Sequence, residues 1–228
     1  MAQDRTKEPQ YMRNVELREA KGLTPLGLGA SQTWYDDPRR LTFLLARYKF
    51  VSKMLSGRRR VLEVGCGDAF GSRIVLQEVE QLTAVDFDRL FVEDAIERME
   101  ERWRFTALVH DMLDGPVPGE FDAAYSLDVI EHIPAEQEDT FVGNIVSSLT
   151  PEGVLIVGTP SLESQQFASP PSKAGHVNCK TGPELKALME RFFHNVFLFS
   201  MNDEVIHTGF APMAHYRLAL CCTRKGPA

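Results

Sequence analysis

Several features that would place a chain quickly are missing here. No run of 18 apolar residues occurs among the 228 positions, so no membrane-spanning helix is expected. The first ten residues, MAQDRTKEPQ, carry charge and no apolar stretch, so no secretory leader is expected either. Positive charge is short: 25 Lys and Arg stand against 32 Asp and Glu, a net charge of −7. That balance speaks against nucleic acid as a partner, because surfaces that grip phosphate are basic. The dense basic cluster Arg58-Arg59-Arg60 reads as a solvated turn before a strand. Cysteine is scarce, and Cys66, Cys179, Cys221 and Cys222 have the spacing of neither a disulfide framework nor a zinc site. A reduced, cytoplasmic protein without a structural metal is the expectation. Internal repeats and low-complexity segments are absent from the sequence.

What is present is an alternation of periods. Residues 1–37 are polar and broken by Gly and Pro, and no regular core element is read there. Asp37 then suits a helix N-cap with Pro38 at the first helical position, and Leu41, Leu44, Leu45, Tyr48, Val51 and Leu55 make a helical stripe that Gly57 ends. Strands follow over 61–65, 82–86, 105–111, 121–128 and 153–160, with helices over 71–80, 89–101 and 134–149. Thr181 and Glu184 have capping-box spacing at the start of a last helix. Strands over 195–201 and 216–224 are joined by too short a connection for a crossover helix, so they should pair antiparallel. The pattern predicts an α/β, Rossmann-like, doubly wound sheet of seven strands with an antiparallel last strand and helices on both faces. Two regions are expected: a cap segment and helix at 1–56, and a domain at 57–228 with a lid at 161–180 and a terminal hairpin at 195–224.

In such sheets ligands sit beyond the carboxyl ends of the strands. The first of those ends reads VLEVGCGDAFG, residues 61–71. A dinucleotide loop wants G-x-G-x-x-G, whereas Gly65, Gly67 and Gly71 are spaced one residue too long. Two acids, Glu63 and Asp68, stand where a pyrophosphate would be repelled and a cation favoured. Asp86 ends the second strand, 21 residues after Gly65, where a carboxylate can accept both hydroxyls of a ribose. A nucleoside joined to a cationic group suggests S-adenosylmethionine as cofactor. The bland alternatives are a tight turn for the glycines, a helix cap for Asp86 and a turn cap for Asp111.

VLEVGCGDAFG resembles motif I of the class I S-adenosylmethionine-dependent methyltransferases, and AVDFD resembles motif II. FDAAYSLDVIEHI and LTPEGVLIVGTPS resemble later segments of the branch that includes the ubiquinone-biosynthesis methyltransferases. The resemblance covers about residues 55–160 in order. It implies that Glu63, Gly65, Cys66 and Gly67 line the methionine part of the cofactor. It further implies that Asp86 binds the ribose and Phe87 flanks the adenine. Asp111 and Met112 then meet the adenine edge and ring, and Ser126, Leu127 and Asp128 lie beneath the methionine end. The loop departs from the family where Ala69 and Phe70 replace glycine.

Methyl transfer to a hydroxyl needs a base, and histidine is the usual candidate. Among six histidines, His132 follows the fourth strand and His176 lies in the long 161–180 segment, a length typical of functional lids. These two are the expected catalytic residues. His110 reads as structural and His194 as a helix-terminal residue. Asn178 could fix a substrate hydroxyl, and Trp34, Tyr35 and Asp36 could close the site. His207, His215, Met201 and Met213 could wall the pocket, and Arg47 could meet the cofactor carboxylate or simply face solvent. The predicted activity is methyl transfer to a hydroxyl or amine of a small molecule, with a sugar or other polyhydroxy metabolite favoured. The segment S-L-D-V at the fourth strand tip is not the N/D-P-P-Y/F pattern of nucleic-acid and protein N-methyltransferases of related fold. No membrane partner is expected, and a homo-oligomer is compatible. The alternatives are a nicotinamide-dependent oxidoreductase using the same loop, and a non-catalytic cofactor-binding protein.

Overall fold

A computed structural model describes residues 6–226; the first five residues of the charged N-terminus lie outside them. Its centre is one sheet of eight strands in the order β3-β2-β1-β4-β5-β8-β6-β7. The strands are β1 Arg60–Val64, β2 Gln81–Asp86, β3 Thr106–Val109, β4 Phe121–Leu127, β5 Leu149–Pro160, β6 Phe193–Asn202, β7 Val205–His207 and β8 Tyr216–Arg224. β1 to β5 run parallel, and β8 inserts antiparallel between β5 and β6. The antiparallel end pair is therefore as expected. The eighth strand is a correction: Asp203, at φ 50°, turns the chain so tightly that Val205–His207 folds back onto Ser200–Asn202.

The helices are α1 Met12–Lys21, α2 Leu28–Asp36, α3 Arg39–Met54, α4 Ser72–Leu76, α5 Arg89–Glu97, α6 Glu138–Ser147, α7 Pro170–Gly175 and α8 Gly182–Glu190. Alternate residues along each central strand face opposite layers. Leu62, Val64, Ala124 and Leu155 pack with Phe141 and Ile145 of α6 and Leu185 and Met189 of α8. Val61, Ala123, Tyr125 and Ile156 pack on the other face with Tyr48 and Val51 of α3 and with Leu55 at its C-cap. Burial on both faces explains why β4 and β5 read as near-continuous apolar runs.

The reading of residues 1–37 as lacking a regular core element is corrected at α2, and α1 is a further helix outside the core. α1 has no buried residue, so no apolar stripe announces it. α2 buries Ala30, and its start is capped from far along the chain: the Ala30 N–H donates to Asp68 Oδ2 at 2.7 Å. The start of α3 lies one residue later than expected: Pro38 is the N-cap and Arg39 the first helical residue, while Asp37 before them accepts the Arg39 N–H at 3.3 Å. The 161–180 segment is more regular than expected. Ser161 caps a 3₁₀ helix at Leu162–Phe167, and Ser169 caps α7, whose first position is Pro170. His194 lies within β6, not at a helix end. Among the described residues, no helix is long and apolar enough to cross a membrane.

Gly71 shows what holds α3 to the sheet. Its φ of −76° suits any residue, yet a Cβ there would stand 2.3 Å from the ring of buried Tyr48. Gly71→Ala should therefore cost about 1–3 kcal/mol of stability through overpacking. Urea titration checks this, and a loss below about 0.5 kcal/mol would mean that Tyr48 can move freely.

Candidate active site

The β1 tip carries the glycine loop. Gly65 sits at φ 76°, and a Cβ there would meet Val129 Cγ2 at 2.1 Å, so both backbone and space require glycine. The N–H groups of Gly65 and Cys66 donate to the Val85 carbonyl at 2.8 and 3.1 Å, laying the loop against β2. Asp86, the last residue of β2, completes the strap. Its Oδ2 accepts the Gly67 N–H at 2.8 Å and its Oδ1 accepts the Asp88 N–H at 2.9 Å. The N-cap of α5 is Asp88, not Asp86. Each Asp86 oxygen keeps a further lone pair for a ligand.

Beyond these tips lies a cavity of about 640 Å³. Gly65, Gly67, Asp86, Phe87, Asp111, Met112 and Asp128 line it, with Phe91, His110, Val129, His132 and Phe141. Seven of the expected cofactor residues thus share one wall system. Phe87 is 74% exposed at its edge, and Asp111 accepts the Leu113 N–H at 2.8 Å. His110 bonds the Gly115 carbonyl at 2.9 Å, which fits a structural role beside the cavity.

Glu63, Cys66, Ser126 and Leu127 lie beneath this surface, all buried. Glu63 accepts from Tyr48 Oη at 2.9 Å and Ser72 Oγ at 2.5 Å. Burial pushes its carboxyl up to about 7 despite these bonds. Burial likewise pushes the Cys66 thiol far up, so it is inert. Asp68 is spent on α2 and on the Phe70 N–H at 3.0 Å. The two acids that made the loop look built for a cation therefore serve the fold directly.

A second cavity of about 320 Å³ adjoins the first, lined by Thr33, Arg40, Phe43, Leu44, Arg47, Asp128, Glu131, His132, Pro160, Ser172 and His176. Asp128 and His132 border both. Asp128 has φ 58°, a strained conformation of the kind retained at functional sites. Arg47 Nη1 donates to both its oxygens, at 2.8 and 2.7 Å, while the guanidinium lies 3.7 Å over the Tyr216 ring. Arg47 is thus a part of the site and not a solvent-facing residue. The expected caps differ: Thr33 reaches the cavity, whereas Trp34 and Tyr35 are 57% and 88% exposed. The His215 ring lies tilted against Phe43, centroids 6.0 Å apart, but Met201 is fully buried in the core.

His132 and His176 meet edge to face, ring centroids 5.1 Å apart. His132 Nδ1 bonds the Gly175 carbonyl at 2.9 Å, which assigns Nδ1–H and leaves Nε2 as the basic atom. His176 Nδ1 bonds Gln165 Oε1 at 2.9 Å and leaves Nε2 likewise. Burial and the neighbouring His132 hold His176 below the ordinary histidine range. Beside them is Glu131, which the sequence reading passed over. Its carboxylate accepts from Thr159 Oγ1 at 3.0 Å, and burial with Asp128 nearby pushes it up to about 8. One ligand atom each from Glu131, His132 and His176 lies within 4.8 Å of the others. The signal that could have found Glu131 is its place between Asp128 and His132 in DVIEH.

The Glu63 environment makes a pH prediction. A buried carboxyl raised from 4.5 to about 7 is most favourable below pH 4.5, and that stability is lost as pH rises through 7. Relative to Glu63→Gln, the wild type should lose up to about 1.4 kcal/mol per pH unit across that window. Denaturant midpoints of both proteins from pH 4.5 to 8 measure it; parallel curves would mean that Glu63 ionises normally.

Residues 61–153 match the family model described as a methyltransferase domain. The chain is similar to a Mycobacterium tuberculosis protein described as a "Probable S-adenosylmethionine-dependent methyltransferase", at 30% identity over 120 residues, 50% of this chain and 42% of that one. It is also similar to the mitochondrial ubiquinone biosynthesis O-methyltransferase of Schizosaccharomyces pombe, at 25% identity over 58% of this chain and 52% of that one. The chain spans about half the length of these curated relatives. Among solved structures, the N-methyltransferase NodS from Bradyrhizobium japonicum in complex with S-adenosyl-L-homocysteine shares the fold. The TM-score is 0.64 at 17% identity, over 89% of this chain and 95% of that one.

Proposed function

We propose, from the match of residues 61–153 to a methyltransferase domain, that this chain transfers a methyl group from S-adenosylmethionine to a small molecule. The observation that carries the reading is the shared wall: two cavities, one bordered by the glycine loop and Asp86, meet at Asp128 and His132. The larger takes the cofactor and the smaller the methyl acceptor. Asp86 binds the ribose hydroxyls, Phe87 flanks the adenine, and Asp111 and Met112 read its edge and face. Gly65, Gly67 and Asp128 border the methionine end, while Glu63, Cys66, Ser126 and Leu127 support that surface from below.

The bound cofactor supplies a methyl group already activated by its cationic sulfur. The protein's task is to align the acceptor atom with it and exclude water. His132 and His176 present Nε2 lone pairs toward the acceptor, and one of them takes the proton of the attacking hydroxyl or amine. The mixture of Thr33, Arg40, Glu131 and Ser172 with Phe43 and Leu44 supports a hydroxyl-rich acceptor such as a sugar or other polyhydroxy metabolite. The free thiols of all four cysteines fit a reducing cytoplasm.

The Glu131, His132 and His176 group favours a second reading of the same step. Its two imidazoles and one carboxylate suit a divalent transition-metal ion, which would acidify an acceptor hydroxyl in place of a histidine base. A chelator separates the two: activity that survives it belongs to the bases, and activity lost but restored by added metal belongs to the ion.

Asp86→Ala should weaken S-adenosylhomocysteine binding about 10- to 100-fold, the worth of a lost charged hydrogen bond. Calorimetric titration measures it, and unchanged affinity would remove the ribose role. His132→Ala and His176→Ala should retain that affinity. At least one should lower methyl transfer by about 10²- to 10⁴-fold in a radiolabelled-methyl assay. Full activity in both would exclude them as bases.

A further inference from the structure

His176 stands 44 positions along the chain from His132, on a segment with few apolar anchors of its own. Something must fix where it arrives. The segment's two ends are pinned together where Ser161 and Lys180 form an isolated parallel bridge and the Leu162 N–H donates to the Lys180 carbonyl at 3.0 Å. The first half is tied down by Arg217, 1% exposed within β8, which donates to Glu163 at 2.9 Å. The second half, which bears His176, ends on a different group. Lys180 is 8% exposed, and its Nζ lies 2.6 Å from Glu138 Oε2 at the first turn of α6. The same Nζ donates to Asn178 Oδ1 at 3.0 Å, and Asn178 Nδ2 donates to Glu138 Oε2 at 2.9 Å. A closed triangle of charge-assisted bonds results. The Asn178 N–H also donates to the Glu131 carbonyl at 3.0 Å, one residue before His132.

We propose that Lys180, Glu138 and Asn178 are positioning residues, a clamp that holds His176 and the Gly175 carbonyl against His132 and so completes the acceptor cavity; what that cavity does rests on the methyl-transfer reading above. None of the three lines the acceptor cavity, so each acts through the histidines. A lysine buried this deeply is costly unless paired, which ties the position of the segment to the ion pair. Val177 alone separates Asn178 from His176, too short a link for slack to build up between them.

Lys180→Met removes the charge at similar length, and Glu138→Gln is a milder break should the first fail to fold. Both should speed amide exchange at His176 and Asn178 by about tenfold or more while β4 amides keep their wild-type protection. Both should also lose the nuclear Overhauser contact between the His132 and His176 rings. Affinity for S-adenosylhomocysteine should stay within about twofold of wild type, because the larger cavity does not use these groups. The swapped pair Lys180→Glu with Glu138→Lys should restore the ring contact, since the Asn178 amide can turn over and serve both new partners. Wild-type exchange and an intact ring contact in Lys180→Met and Glu138→Gln would overturn the clamp. A wild-type protein that binds no S-adenosylhomocysteine would instead sink the methyl-transfer reading, and the exchange data would still decide the clamp.

Discussion

The ion pair between Arg47 and Asp128 is the contact around which the site is arranged. It joins the middle of α3 to the tip of β4, the strand end where the two cavities meet. Asp128 is held at φ 58°, and the chain then turns directly into Glu131 and His132. Burial opposes the charge on Arg47, but Asp128, Tyr216 and Glu131 together outweigh it and hold the guanidinium above its ordinary range. The Tyr216 ring beneath Arg47 adds cation–π attraction and fixes the plane of the fork. The helix that packs over the sheet is thereby part of the site.

Beneath the glycine loop, the acids work for the fold. Glu63 collects the hydroxyls of Tyr48 and Ser72, linking β1, α3 and α4 in one buried group. Asp68 caps α2 and so draws the N-terminal helices toward the loop. Only Asp86 faces both ways, strapping Gly67 while bordering the cavity. A preorganised loop of this kind spares the protein the ordering cost when a ligand arrives.

How much of this was legible in the sequence depends on distance along the chain. β1 to β5 and the capping box at Thr181 follow from local periodicity and cap chemistry, and they appear as read. A parallel core by itself puts Gly65, Asp86, Asp111 and Asp128 at or just beyond strand tips. α1 and α2 were not legible, because one buries nothing and the other is capped by Asp68, 38 positions from Ala30. β7 depends on a turn at Asp203 in a left-handed conformation, a choice that no apolar pattern encodes. Asn178 looked like a substrate contact because its partners Glu138 and Lys180 are brought together only by folding. Glu131 was hidden by the same rule: its role becomes visible when Thr159 and His176 arrive from elsewhere.

A crystal structure with S-adenosylhomocysteine soaked into the protein tests the account most directly, through the position of the sulfur atom. The account predicts the ribose on Asp86 and the sulfur at the shared wall of Asp128 and His132, facing the smaller cavity. A sulfur placed away from that wall would contradict it, as would a nicotinamide dinucleotide occupying the larger cavity in its stead.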